Sequence, residues 1–96
     1  MPDYIYLISP LRAGFYQYPT PQEEIVIEAH YEYLRQAISQ GKVILAGPCL
    51  DETFGIVVLR AESEAEARAF MRNDPSVMNE VMKAELHPMK VSLMRE

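Results

Sequence analysis

The sequence predicts an α+β fold with the element order β-α-β-β-α-β, the plan known as split βαβ or ferredoxin-like. Three observations predict it. Four short runs rich in β-branched and aromatic residues indicate strands. Two longer segments with helical periodicity each begin at a capping box. Turn residues separate these segments, so the strands and helices alternate in the order of this plan.

The first half of the chain contains the first strand and the first helix. We expect the strand over Asp3–Ser9 (DYIYLIS) and a loop over 10–19. The helix begins at Thr20–Glu23, which combines an N-cap threonine, proline at the first helical position and glutamate at the third. It is expected to end near Gln40, where Gly41 supplies a left-handed stop.

The second half of the chain supplies a hairpin, a helix and a last strand. Val43–Leu50 and Phe54–Ala61 are expected to pair as an antiparallel hairpin. A second capping box at Ser63–Glu66 begins a helix that ends near Asn73. The remaining predicted elements are a short helical turn over 74–82, capped by Asp74-Pro75, and a last strand over Ala84–Met94.

The composition predicts one folded domain over residues 1–96. Apolar residues make up 49% and charged residues 24% of the chain, as in globular proteins. The net charge of −5 argues against binding to nucleic acid or to an anionic membrane surface. The single cysteine, Cys49, fits a reducing compartment, and no apolar run reaches the ~18 residues of a membrane span. We therefore expect a cytoplasmic location.

The strands predict a homodimer. Right-handed crossovers place both helices on one face of the sheet, yet the strands are apolar on both faces. In the first strand Tyr4, Tyr6 and Ile8 alternate with Ile5 and Leu7. A strand buried on one side only alternates apolar with polar residues. We expect the uncovered faces of two copies to pack together.

His30 is the first candidate catalytic residue. Ile27, His30, Leu34 and Ala37 follow helical spacing, so the imidazole lies within the apolar stripe. An inward polar group needs a partner, because an unsatisfied one costs roughly 1–3 kcal/mol. The partner is a backbone carbonyl if His30 is a core histidine, and an acid/base partner if it is catalytic.

Asp74 is the second candidate. Ala67, Phe70, Met71 and Asp74 continue one helical face, so the carboxylate points the same way as core residues. Beside an imidazole, a carboxylate fixes the tautomer and suits the pair to proton transfer. Alternatively, Asp74 before Pro75 only caps the helical turn that follows.

Two further residues are candidate ligand-binding groups. Arg12 lies in an aromatic loop after the first strand, where a guanidinium can clamp an anion or simply face solvent. His87 shares a strand face with Met89 and can reach the rim of the inner surface. Together, His30, Asp74 and His87 have the residue types of a metal-binding facial triad. Alternatively, His87 is a histidine near a strand end with no role in a site.

The chain lacks several familiar catalytic motifs. There is no P-loop, no GxGxxG, no CxxC and no GxSxG. Nucleotide-dependent chemistry and serine-triad hydrolysis are not expected, and we predict no cofactor.

These residues resemble the YCII-related (YciI-like) family. The resemblance rests on His30, Ala46-Gly47-Pro48 and Asp74-Pro75 in their order, and on the closing segment AELHPMKVSL. It implies a dimeric α+β barrel of ferredoxin-like protomers, in which His30 and Asp74 form the active-site pair. Some related members act as lyases on ring compounds. This chain departs from the pattern at Glu80, where the subgroup usually has glycine, and at Met89, where an aromatic residue is common and which we expect in the pocket wall.

Two functional hypotheses follow. The first is a small cytoplasmic dimeric enzyme that performs elimination, isomerisation or hydrolysis of a small cyclic metabolite without a cofactor, with His30 as acid/base, Asp74 as its orienting partner and Arg12 as an anion clamp. The second is a non-catalytic module that binds a small molecule. A metal-dependent enzyme that also uses His87 is a third and weaker possibility.

Overall fold

The computed structural model describes residues 1–95 and has the predicted ferredoxin-like architecture. A four-stranded antiparallel sheet has the strand order β2-β3-β1-β4, and the helices cover one of its faces. The elements are β1 (Asp3–Pro10), α1 (Pro21–Ser39), β2 (Val43–Pro48), β3 (Gly55–Arg60), α2 (Glu64–Asn73), α3 (Pro75–Met78) and β4 (Met82–Met89).

The central strand β1 supplies the middle of the core. It pairs with β3 on one side and with β4 on the other, so that Tyr6 lies opposite both Val57 and Leu86. Tyr4, Tyr6 and Ile8 point to the helices and are buried. Because side chains alternate along a strand, Ile5 and Leu7 lie on the opposite face of the sheet.

Both helices begin where the capping residues predict. At the start of α1, Thr20 Oγ1 accepts from the amide of Glu23, and the Glu23 carboxylate accepts from the amide of Thr20, which completes a capping box. At the start of α2, Ser63 Oγ accepts from the amide of Glu66. The predicted apolar stripe of α1 is also buried at Leu34 and Ala37, on the same side of the helix as His30.

The last strand differs from its predicted bounds of Ala84–Met94. It begins at Met82, because β1 extends to Pro10 and pairs with it there. It ends at Met89, which lies opposite Asp3, the first residue of β1. Beyond that point β1 offers no backbone partner, so the strand character of the sequence is not realised.

The short helix α3 is also shorter than the predicted turn over 74–82. It ends at Met78, and Glu80 follows in the left-handed conformation with φ of 57°. This backbone conformation suits glycine, the residue that the resemblance led us to expect at this position. Glu80 itself is exposed, so its departure from the pattern concerns the turn and not the interior.

Within residues 1–95, no helix combines the length and the apolar character that crossing a membrane requires.

Candidate functional site

The fold brings His30 and Asp74 into direct contact. Nδ1 of His30 lies 2.7 Å from Oδ1 and 2.9 Å from Oδ2 of Asp74. His30 is on the inner face of α1, and Asp74 lies at the junction of α2 and α3. Both side chains are buried, Asp74 completely.

Asp74 is also the N-cap of α3, so the structural and the paired interpretations of this residue both hold. Its Oδ1 accepts from the amide of Ser76 at 2.9 Å and from the Ser76 hydroxyl at 2.8 Å. A single buried carboxylate therefore both caps a helix and holds an imidazole.

A third side chain, Tyr6, completes the set of donors around Asp74. The Tyr6 hydroxyl donates to Oδ2 at 2.8 Å from the middle of β1. The carboxylate then accepts from His30, from Tyr6 and twice from Ser76, which matches the roughly four acceptor positions that a carboxylate offers. Asp74 has no acceptor position left for a ligand.

This network keeps the carboxylate ionised. Burial alone would raise the pKa of Asp74, but the hydrogen bond and charge of His30 and the donors Tyr6 and Ser76 outweigh it, so the pKa is lowered. Burial, together with the charge and hydrogen bond of Asp74, raises the pKa of Tyr6 far above its usual range. Tyr6 thus keeps its proton and acts as a donor.

The ionised carboxylate fixes the tautomer of His30. An ionised carboxylate only accepts hydrogen bonds, so Nδ1 of His30 carries a proton. In the neutral ring, Nε2 is then an acceptor with a free lone pair. Among residues 1–95 no fully buried side-chain nitrogen or oxygen lacks a partner, and no protein group bonds Nε2, so this atom faces open space.

That space is a cavity of about 310 Å³ between α1, the 11–19 loop and the adjoining ends of β2 and β3. Its walls are almost entirely apolar. Burial, with the nearby Glu52, raises the pKa of Tyr16, so this hydroxyl is uncharged at neutral pH. The lining residues are Ile8, Phe15, Tyr16, Ile27, His30, Tyr31, Leu34, Ala46, Gly47, Pro48, Gly55, Ile56 and Met82.

Arg12 does not line this cavity. Its guanidinium makes a two-pronged ion pair with Glu23, at 2.9 and 2.7 Å, and also donates to the carbonyl of Tyr18 at 2.7 Å. These contacts fasten the 11–19 loop to the start of α1. The loop in turn places Phe15 and Tyr16 in the cavity wall. The role of Arg12 as an anion clamp stays a prediction. The ion pair with Glu23 does not favour it, because the guanidinium is already occupied.

His87 is not brought to the His30–Asp74 pair. It lies opposite Ile5, on the face of the sheet turned away from the helices, and its nearest charged partner is Glu85 at 3.5 Å. The neighbouring Leu86, opposite Tyr6, occupies the inner face instead. Strand alternation therefore separates His87 from the other two members of the predicted facial triad, His30 and Asp74. Within residues 1–95 no cluster of three His, Cys, Asp and Glu side chains is arranged to hold a metal.

Met89, which we expected in the pocket wall, also lies elsewhere. It is opposite Asp3 at the end of β4 and is not among the residues that line the cavity. Within residues 1–95, having methionine in place of an aromatic residue at position 89 therefore does not alter the wall of this cavity.

Sequence reasoning missed Tyr6 and Ser76. The alternation of β1 already pointed Tyr6 inward, and a buried tyrosine hydroxyl needs a hydrogen-bond partner. This need for a partner could have identified Tyr6 as part of a buried polar site. For Ser76 the signal was weaker, since a serine early in a helix commonly serves only the local backbone.

A model of the YCII-related domain family matches residues 8–90, which include every residue of the site except Tyr6. The chain belongs to the YCII-related family. The resemblance inferred from His30, the Ala46–Pro48 segment and Asp74-Pro75 is confirmed.

One solved structure supports the ferredoxin-like fold of this chain. The 5-chloro-2-hydroxyhydroquinone dehydrochlorinase TftG of Burkholderia phenoliruptrix AC1100, in complex with 2,5-dihydroxybenzoquinone, is similar with a TM-score of 0.67 and 23% identity. The similarity covers 91% of this chain and 93% of TftG. An uncharacterised protein of Thermotoga maritima matches with a TM-score of 0.47 and 14% identity, over 92% of this chain and 95% of that one. No protein of curated function matches this YCII-related chain significantly.

Proposed function

We propose that this YCII-related protein is an enzyme that moves a proton on a small cyclic compound, with His30 as the general acid/base. The observation that carries the proposal is that the two ring nitrogens of His30 have different surroundings. Nδ1 is bonded to a fully buried carboxylate, while Nε2 is left for a mostly apolar cavity. A general base must lie within hydrogen-bond reach of the proton that it removes, and a free Nε2 beside the cavity supports this role for His30.

The chemistry uses His30 and Asp74 in different roles. Nε2 takes a proton from the bound compound, and the imidazolium that forms is stabilised by the Asp74 carboxylate at Nδ1. The electron pair of the broken bond forms a new double bond in the ring compound. In an elimination the leaving group departs with its own bonding pair, and in an isomerisation an existing double bond shifts and its far atom takes up the proton. His30 then returns the proton to another atom or to solvent. Asp74 orients the ring and remains ionised throughout.

Two considerations favour elimination or isomerisation over hydrolysis. The cavity lining contains no serine, cysteine or threonine that could act as a nucleophile. TftG, which shares the fold, is a dehydrochlorinase of a ring compound and was solved with a dihydroxybenzoquinone. Shared fold by itself does not transfer a substrate, so this similarity supports the class of reaction and the choice of first probes.

We further propose that the protein works as a homodimer through the uncovered face of the sheet. That face carries Ile5, Leu7, Ile56 and Val58, and the edge strand β2 adds Leu45, which is 48% exposed. These side chains form an apolar patch on β1, β3 and β2, which His87 and Glu85 border on β4. An exposed apolar patch with a polar rim is typical of a protein interface. Light scattering on the eluting protein should give twice the chain mass of 11.0 kDa.

A pair of leucine variants tests this dimer. Leu45→Glu places a charge on the proposed interface and should shift the protein toward the monomer. Leu11→Glu adds the same charge at a similarly exposed leucine in the loop after β1, 54% exposed, and should leave the mass unchanged. A wild-type protein that elutes as a monomer at all concentrations contradicts the proposal.

The catalytic proposal is tested by screening ring compounds with acidic protons, beginning with 5-chloro-2-hydroxyhydroquinone and including cyclic lactones and ketones. For any compound that turns over, His30→Gln should lower kcat by roughly 10²–10⁴-fold, the contribution of a general acid/base. Glu28→Gln, on the exposed side of the same helix, is the control and should keep wild-type activity. Full activity of His30→Gln removes His30 from the mechanism. Binding of a compound without turnover favours the ligand-binding module instead.

A further inference from the structure

The carboxylate of Asp74 is shared between the imidazole and two hydroxyl groups. The Tyr6 hydroxyl and His30 Nδ1 both donate to Oδ2, at 2.8 and 2.9 Å. The Ser76 hydroxyl and His30 Nδ1 both donate to Oδ1, at 2.8 and 2.7 Å. Each oxygen that holds the imidazole therefore also holds a hydroxyl proton.

Such sharing has an electrostatic consequence. A hydrogen bond to a carboxylate withdraws part of its negative charge, and the effect is large where no water competes. Tyr6 is fully buried and Ser76 is fully buried, so their bonds to Asp74 are not exchanged for water. The charge that Tyr6 and Ser76 absorb is not available to stabilise an imidazolium.

We propose that Tyr6 and Ser76 are positioning residues that set how strongly Asp74 holds the proton of His30. By occupying both carboxylate oxygens, the two hydroxyl groups weaken the attraction of Asp74 for a charged His30 and so ease the return of the proton from Nε2. They also prevent the carboxylate from rotating, which keeps Nδ1 as the bonded nitrogen and Nε2 as the one that faces the cavity. Neither hydroxyl touches a ligand in the cavity, because neither residue lines it.

Asp74 is the charged side chain in direct contact with His30. Asp74 faces the ring from the junction of α2 and α3, and Tyr6 reaches it from β1 through the same carboxylate. On α1, the Tyr31 ring lies 5.3 Å from the imidazole, centroid to centroid. Tyr16, from the 11–19 loop, lines the same cavity, whose lining contains no lysine or arginine.

The consequence for turnover rests on the proposed acid/base role of His30. The effect of Tyr6 and Ser76 on His30 through the Asp74 carboxylate is a property of the free protein. NMR on protein labelled with ¹⁵N at histidine measures this effect without any substrate. The ring nitrogen shifts report which nitrogen carries the proton, and their pH dependence gives the midpoint of the His30 titration.

Tyr6→Phe and Ser76→Ala each remove one hydroxyl from Asp74. In both variants the carboxylate keeps more charge for the imidazole, so the His30 midpoint should rise, by about half to one pH unit for a bond of ordinary strength. Tyr33→Phe is the matched control. Burial and the charge of Asp74 raise the pKa of Tyr33 to about 12, but its hydroxyl donates to the carbonyl of Phe70 and not to Asp74. Its loss should leave the midpoint where it is.

The outcomes separate the proposals. Midpoints that stay at the wild-type value in Tyr6→Phe and Ser76→Ala, while melting temperatures fall, make both hydroxyls purely structural and overturn this inference. If Tyr6→Phe does not fold, Ser76→Ala, which removes a single small hydroxyl, decides alone. Raised midpoints in a protein that turns over none of the ring compounds leave this inference standing and count against the catalytic proposal only.

Discussion

Nδ1 of His30 lies 2.7 Å from Oδ1 of Asp74, although 44 residues of chain separate the two. The contact joins the inner face of α1 to the junction between α2 and α3, so it forms only when both helices dock on the same sheet face. Removing one partner of a buried hydrogen bond leaves the other unsatisfied, which typically costs about 1–3 kcal/mol and more for a charged group such as the Asp74 carboxylate. The pair is therefore part of what holds the two halves of the molecule together, as well as the centre of the candidate site.

The coupling of this pair is directly measurable. In Asp74→Asn the negative charge beside His30 is lost, so the midpoint of the His30 titration should fall by about one pH unit or more. NMR titration of the His30 ring measures it in the free protein. Asp51→Asn removes an exposed carboxylate in the β2–β3 turn and should leave the midpoint unchanged. Equal midpoints in wild type and Asp74→Asn mean that the contact carries no electrostatic coupling.

The acid stability of the fold should depend on Glu23. The hydrogen bonds of Arg12 and of the Thr20 amide hold the pKa of Glu23 at about 2, below its usual 4.5. Because the folded-state pKa lies below the unfolded one, ionised Glu23 stabilises the fold fully above pH 4.5, and this contribution is lost as the pH falls toward 2. Thermal denaturation across this range should show the melting temperatures of wild type and Glu23→Gln converging as the pH drops.

Glu24→Gln is the control for that experiment. It removes the adjacent carboxylate in the same helical turn, which makes no side-chain hydrogen bond within residues 1–95. We expect its melting curve to follow that of wild type over the same pH range. A Glu23→Gln curve that runs parallel to wild type down to pH 2 contradicts the predicted role of the Arg12–Glu23 contact.

The turn after α3 should be stabilised by glycine. Glu80 adopts φ of 57°, a conformation that costs a residue with a Cβ roughly 1–2 kcal/mol. Glycine avoids this cost but gives up more conformational freedom on folding, so Glu80→Gly should raise the free energy of unfolding by about 0.5–1 kcal/mol. Urea denaturation measures it. Glu62→Gly, at an exposed position without a positive φ, should give no gain, and equal effects of the two changes would rule out backbone strain as the cause.

The wall of the cavity also contributes to the core. Leu34 is only 4% exposed and lines the cavity beside His30. Leu34→Ala should lower the free energy of unfolding by about 2–5 kcal/mol, through lost burial and through the added space. Leu50→Ala, at a leucine that is 95% exposed, should change it by less than about 0.5 kcal/mol. Chemical denaturation of the two variants tests the contrast, and comparable losses would show that Leu34 is not a core residue.

Much of the fold was predictable because its signals are local. The capping box at Thr20 and the N-cap bond of Ser63 set the starts of α1 and α2, since the donors and acceptors of a cap lie within four residues of one another. Helical spacing placed His30 on the buried side of α1, and the Asp-Pro step placed Asp74 at a cap. The identity of both members of the pair was thus available from the sequence.

The tertiary structure decided the end of β4, the sheet face of His87 and the contacts around Asp74, which local sequence signals do not determine. The strand-like sequence after Met89 remains outside the sheet because β1 has no residue left to pair with it. The face that His87 occupies depends on the register between β1 and β4, which sequence alternation alone does not fix. The convergence of Tyr6, His30 and Ser76 on one carboxylate depends on contacts up to 68 residues apart. Local signals in the sequence predicted the helix caps and the inward position of His30 on α1. Only the packing of α1 and the α2–α3 junction over β1 decided which polar groups share the carboxylate of Asp74, because that depends on distances set by the whole fold.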